Sequence, residues 1–100
     1  GTDRVVIAAG TVGTFELSAF ANVEELTLGT ALNASNANGT DGADRIEGNA
    51  SNNVLDGRGG NDLLIGGNGN DTLTAGSGND TLQGGSGNDR LVAGAGTDSL

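Results

Sequence analysis

The sequence predicts an all-β fold: a two-sheet solenoid of very short strands, 18 residues per full turn, with a β-rich segment capping its N-terminal end. Three observations carry that expectation. From Gly39 to Leu100 the chain repeats every nine residues without a gap. One position of the repeat is almost always aspartate, and the position two residues later is always Ile or Leu. Large side chains are scarce: 20 of 100 residues are glycine, the only aromatics are Phe15 and Phe20, and there is no Trp, Tyr or Met. A conventional core is out of reach for such a chain. Aliphatic residues spread over many stacked strands could still build a thin one.

Residues 1–38 lack the phased pattern and form the run-in. Val5, Val6 and Ile7 read as one strand, and Phe15 and Leu17 alternate as a second. Val23, Leu26 and Leu28 fit a third, with Leu26 and Leu28 on one face. A helix over residues 16–28 is the alternative, but its apolar residues lack a clean 3.6 period. The segment is expected to be β-rich, to stack on the first repeat and to cover an otherwise open sheet edge.

Residues 39–100 form the second region. Its units are GTDGADRIE, GNASNNVLD, GRGGNDLLI, GGNGNDTLT, AGSGNDTLQ, GGSGNDRLV and AGAGTDSL. Column six reads Asp44, Asn53, Asp62, Asp71, Asp80, Asp89, Asp98. Column eight reads Ile46, Leu55, Leu64, Leu73, Leu82, Leu91, Leu100. Columns one to six are rich in Gly and Asn, which tolerate φ > 0 and suit a tight turn. Columns seven to nine form a three-residue strand whose alternation sends column eight inward and its neighbours outward. Two units make one full turn, so unit n lies beneath unit n+2.

That stacking decides which carboxylates meet. Asp44, Asp62, Asp80 and Asp98 fall on one side, and Asn53, Asp71 and Asp89 on the other. Like charges at roughly the strand spacing repel unless a cation lies between them. The available donors are all oxygen: carboxylates and the carbonyls of glycine-rich turns. With no His and no Cys in the chain, zinc and copper are poor candidates. Sites of about six to eight oxygens suit Ca²⁺, whereas Mg²⁺ wants a near-ideal octahedron and keeps its waters. The pairs 44/62, 62/80, 80/98 and 71/89 have two aspartates each, and 53/71 has one plus the Asn53 amide. About four well-formed sites and one weaker one are therefore expected.

The units GGNGNDTLT, AGSGNDTLQ and GGSGNDRLV resemble the nonapeptide of the RTX, or haemolysin-type, calcium-binding repeat. GNASNNVLD is similar to the degenerate unit that often precedes the regular ones, and the resemblance covers about residues 22–100. It implies a parallel β-roll with Ca²⁺ between turns, in which column-six aspartates bridge two ions and carbonyls of the first four columns complete each site. Carried onto this chain, the side-chain ligands are Asp44, Asp62, Asp71, Asp80, Asp89 and Asp98, with Asn53 weaker. The carbonyls would come from Gly57, Gly59, Gly60, Gly66, Gly67, Asn68, Gly69, Gly76, Ser77, Gly78, Gly84, Gly85, Ser86, Gly87, Gly94 and Gly96. Ser51 and Asn53 depart from the pattern, Arg58 stands in the usual second-glycine slot, and Ala75 and Ala93 replace the first glycine. The resemblance also implies type I export from a bacterium, with a signal beyond Leu100, so that the chain reads as a fragment of a larger secreted protein.

The net charge of −9 argues against nucleic acid and against an anionic membrane surface, and no apolar run is long enough to span a bilayer. Without His or Cys, Ser51, Ser77 and Ser86 have no base to activate them, so no catalytic role is expected. The expected function is a calcium-binding structural module that folds outside the cell. The alternatives are an adhesin or surface-recognition spacer and the non-catalytic tail of a secreted hydrolase or epimerase. An ice-binding face would need a threonine ladder, and column three (Asp41, Ala50, Gly59, Asn68, Ser77, Ser86, Ala95) has none. The column-five asparagines are read as turn geometry. Without calcium, low hydrophobicity and high charge favour a disordered chain.

Overall fold

The computed structural model describes residues 4–7, 13–16, 24–28 and 35–100, with side chains from Glu16, residues 24–28 and residues 36–100. Ten strands are described, and no helix is present among these residues. They are β1 (Arg4–Ile7), β2 (Gly13–Glu16), β3 (Glu25–Leu28), β4 (Ser35–Asn38), β5 (Arg45–Glu47), β6 (Val54–Asp56), β7 (Leu63–Ile65), β8 (Thr72–Thr74), β9 (Thr81–Gln83) and β10 (Arg90–Val92). Odd strands form one sheet in the order β1-β3-β5-β7-β9, and even strands form the other in the order β2-β4-β6-β8-β10. Every pairing is parallel. The chain therefore crosses from one sheet to the other at each turn, and the nine-residue unit is half a coil.

The register reproduces the 18-residue period of the repeats. Ile46 sits beside Leu64 and Leu64 beside Leu82 in one sheet, while Leu55 sits beside Leu73 and Leu73 beside Leu91 in the other. These column-eight residues point between the sheets, and Ile46, Leu55, Leu64, Leu73 and Leu82 are all buried. Leu91 packs only partly against them, and Leu100 is exposed. Each buried aliphatic contributes about 1.5–3 kcal/mol, and each of the strands β5 to β9 supplies one to the seam. The flanking columns face outward: Val54 is exposed, and Leu63, Ile65 and Val92 are half-buried.

The run-in continues the same two sheets. β1 covers the residues expected as the first strand, and β2 contains Phe15 of the second, while Leu17 and Val23 lie outside the described residues. Leu26 and Leu28 are buried on one face of β3, as their alternation predicts. The alternative helix over residues 16–28 is ruled out at Glu16 and at residues 25–28, which are strand. β3 pairs with β5 and β4 with β6, so the run-in stacks directly on the repeats.

β4, with the sequence SNAN, has no hydrophobic run to announce it. Its place comes from neighbours on both sides. Ala37 enters the seam beside Leu55, Asn36 Oδ1 accepts the Val54 N–H at 3.0 Å, and Asn38 Nδ2 donates to Glu16 Oε1 at 2.7 Å. Ion pairs on the outer surface are modest: Arg45 lies 3.2 Å from Glu47 and Arg58 lies 2.9 Å from Glu16.

Candidate metal centre

The column-six side chains are stacked by backbone donors. Asp44 N–H donates to Asp62 Oδ1, Asp62 N–H to Asp80 Oδ1 and Asp80 N–H to Asp98 Oδ1, each at 2.8 Å. On the opposite side Asn53 N–H donates to Asp71 Oδ1 and Asp71 N–H to Asp89 Oδ1, again at 2.8 Å. One carboxylate oxygen per unit is thereby used to tie successive turns together. The structure thus brings together the two columns that the 18-residue spacing predicts.

The other oxygen is left over. Oδ2 of Asp62, Asp71 and Asp80 is buried and has no hydrogen-bond partner. An unpaired buried carboxylate oxygen is costly, because burial removes water without replacing it. The cause is the turn backbone. Column two at Gly67 and Gly76 has φ of 92° and 93°, and column four at Gly69 and Gly78 has 97° and 119°. In this left-handed conformation the column-two N–H makes no bond to the carboxylate of its own turn.

Carbonyls occupy the space around these oxygens. A Cβ placed on Gly57 would lie 2.5 Å from Asp62 Oδ2 and 3.0 Å from the Ala75 carbonyl oxygen. On Gly66 it would lie 2.6 Å from Asp71 Oδ2 and 2.7 Å from the Gly84 carbonyl. At Gly57 and Gly66 column one therefore leaves a narrow cradle floored by an orphan carboxylate oxygen and a carbonyl 18 residues on, whereas in the turn of Asp80 that place is taken by the buried Ala75. Columns two and four add carbonyls against the following turn: a Cβ on Gly76 would overlap Arg58 O, and one on Gly78 would overlap Gly60 O. Arg58 O and Gly76 O already accept one N–H each, from Ser77 at 3.0 Å and Ala95 at 3.1 Å, and keep a second lone pair. Among the described residues no three acidic side chains converge, so carboxylates alone do not make the site. The donor set is a few carboxylate oxygens and many carbonyls, which suits a hard divalent cation with many oxygen ligands.

Electrostatics point the same way. Burial pushes the Asp62 carboxyl up to about 7; a hydrogen bond from Asp44 N–H opposes the rise, and Asp44, Asp80 and Asp56 add to it. Burial likewise raises Asp44 and Asp71. A carboxyl raised in the folded state stabilises it fully below the unfolded value of 3.8, and that contribution is lost as pH rises through about 7. In calcium-free buffer, β-structure is thus expected to increase as pH falls from about 7 toward 4, followed by circular dichroism. A calcium-free chain that loses strand signal over that interval contradicts the burial account.

The family model described as "RTX calcium-binding nonapeptide repeat (4 copies)" matches residues 38–73 and again 65–100. The chain belongs to the RTX calcium-binding repeat family. No curated protein and no solved structure matches it. The RTX repeats account for the nine-residue period and for the parallel β-roll seen here. Calcium is the ion the family description names, and the orphaned Oδ2 atoms and carbonyl-lined cradles fit it.

Not every RTX turn is built alike. Among the described residues Arg58 is the only non-glycine with positive φ, at 71°. It is held there by its own N–H to Asp56 Oδ1 at 3.0 Å, by Glu16, and by Nη1 donating to the Gly39 carbonyl at 3.2 Å. The turns at 39–44 and 48–53 lack left-handed residues altogether. The column-five asparagines prove to be more than turn formers. Asn52 Oδ1 accepts the Asn70 N–H at 2.7 Å and Asn70 Oδ1 the Asn88 N–H at 2.8 Å. Asn61 and Asn79 do the same for Asn79 and Thr97 on the other side. Their 18-residue phase in the sequence is the signal that could have identified these ladders.

Gly78→Ala is expected to destabilise the RTX stack by about 2 kcal/mol or more, combining left-handed strain with overlap on the Gly60 carbonyl. Gly59→Ala is the control, since its added Cβ would meet nothing nearer than 3.5 Å. Melting midpoints in saturating calcium compare the two; equal midpoints count against the close turn stacking.

Proposed function

We propose that this chain is a calcium-binding structural module of a larger secreted bacterial protein, ordered by Ca²⁺ after export. The observation that carries the reading is the set of buried, partnerless Oδ2 atoms of Asp62, Asp71 and Asp80, each on a column stacked at 18-residue spacing. Calcium would lie between successive turns on each side, held by column-six carboxylates together with carbonyls of columns one, two and four. Bound there, it would supply the positive charge that the aspartate columns lack. The protein's own part is to position these oxygens, through left-handed glycines and the Oδ1 bonds that fix each carboxylate's orientation.

Export fits a chain that is unfolded where calcium is scarce and folds where it is millimolar. Among the described residues no helix is long and apolar enough to cross a membrane. A non-catalytic role fits the chemistry available, which has no His or Cys to activate a nucleophile. The rest of the parent protein would supply any adhesive or enzymatic activity.

Isothermal titration of wild type and Asp80→Ala with calcium tests the reading. Asp80 lies between Asp62 and Asp98, its N–H bonded to one and its Oδ1 to the N–H of the other. Its loss should therefore remove about two ions' worth of binding. A variant that binds as many ions as wild type would rule out the stacked-site scheme.

A further inference from the structure

The first turn on each side solves the problem of its column-six side chain without an ion. Thr40 N–H donates to Asp44 Oδ2 at 2.6 Å, and the Thr40 hydroxyl lies 3.0 Å from both carboxylate oxygens. Gly42 N–H in turn donates to Thr40 Oγ1 at 3.1 Å. The turn at 48–53 repeats the arrangement with different residues. Asn49 N–H donates to Asn53 Oδ1 at 3.0 Å, Asn53 Nδ2 to Asn49 Oδ1 at 3.1 Å, and Ser51 N–H to Asn49 Oδ1 at 3.0 Å. In both, the column-two N–H points back at the column-six side chain. The orphaned Oδ2 atoms belong to later turns, at Asp62, Asp71 and Asp80.

The switch between the two arrangements is the backbone at column two. Thr40 and Asn49 keep φ out of the left-handed region, whereas Arg58, Gly67, Gly76, Gly85 and Gly94 adopt it. For an ion to enter the first turn, Asp44 must give up a short charge-assisted hydrogen bond. Thr40 would then have to turn its N–H away, into a conformation that is an outlier for a β-branched residue. Arg58 already brings a cation to this level, with Nη1 3.2 Å from the Gly39 carbonyl. In the second turn the Asn53 amide carries no charge to attract an ion.

Resting on the calcium reading above, we propose that the turns at 39–44 and 48–53 are closed by the chain's own hydrogen-bond donors and take no calcium. Ions then bind only between turns from Gly57 onward: between Asp62 and Asp80, Asp80 and Asp98, and Asp71 and Asp89. The N-terminal turns act as ion-free ends on which the calcium-loaded stack is laid.

Native mass spectrometry of the full 100-residue chain in graded calcium counts the ions directly. Wild type should saturate at about three ions, against about four if every aspartate pair is filled and about five if the Asn53–Asp71 site is filled too. Thr40→Gly, which permits the left-handed turn, should add one ion, and Asn49→Gly with Asn53→Asp should add one on the other side. A wild-type count of four or five overturns the proposal by itself, whether or not the variants fold. Variants that fold, as judged by circular dichroism in calcium, yet gain no ion also overturn it. A wild-type chain that takes no calcium at all instead overturns the calcium reading on which the proposal rests.

Discussion

Removing calcium with excess EDTA should abolish most of the strand signal in far-UV circular dichroism, and millimolar Ca²⁺ should restore it. The expectation follows from what the fold lacks. Fixing a residue's backbone costs about 1–2 kcal/mol, and glycine loses the most freedom of all. Against that cost stands a thin seam, with one aliphatic from each of β5 to β9 and two from β3, worth about 1.5–3 kcal/mol each. Three buried carboxylate oxygens without partners act against folding, as do neighbouring carboxylates stacked 18 residues apart. A cation that binds only the assembled turns reverses these unfavourable terms together, so its binding energy becomes folding energy. Identical spectra in EDTA and in calcium would show that the stack holds without the ion.

Leu73→Ala should be the most damaging single truncation of the seam. Leu73 is fully buried in β8, between Leu55 of β6 and Leu91 of β10. Removing its side chain should cost about 2–5 kcal/mol, because among the described residues the core is a single thin cluster with no second layer to close the cavity. Val54→Ala on the outer face of β6, where the side chain is 47% exposed, should change stability by no more than about 0.5 kcal/mol. Urea unfolding in saturating calcium measures both. Comparable losses in the two variants would place the core somewhere other than column eight.

Much of this arrangement was legible in the residues. Column eight predicted Ile46, Leu55, Leu64, Leu73, Leu82, Leu91 and Leu100 as inward-facing; the first five are buried, Leu91 packs partly against them, and Leu100 is exposed. The two interleaved aspartate columns were expected from period alone, and the N–H to Oδ1 bonds join the same residues. β4 was not legible, because Ser35 and its asparagines form a strand only through pairing with β2 and β6. The role of Thr40 was not legible either. It sits in a glycine slot, but nothing in its identity says that its N–H and hydroxyl will both reach Asp44.

The division between the two kinds of information has a physical basis. Glycine's freedom at φ > 0 and the two-residue alternation of a strand are local properties, so the repeat alone determined the unit, its inward leucine and the 18-residue coil. Whether a carboxylate oxygen is capped or orphaned depends on where one N–H points. That direction is set by the column-two backbone and by contacts that bridge the stack, such as Arg58 with Glu16 and with the Gly39 carbonyl. These partners lie 18 or more residues apart in the chain. The bonds that close Asp44 and Asn53 are local, spanning four residues, but only the closed coil gives Arg58 its partners and buries Asp62, Asp71 and Asp80, and so only the tertiary structure decided which uncapped oxygens are shut away from water and left open to a cation.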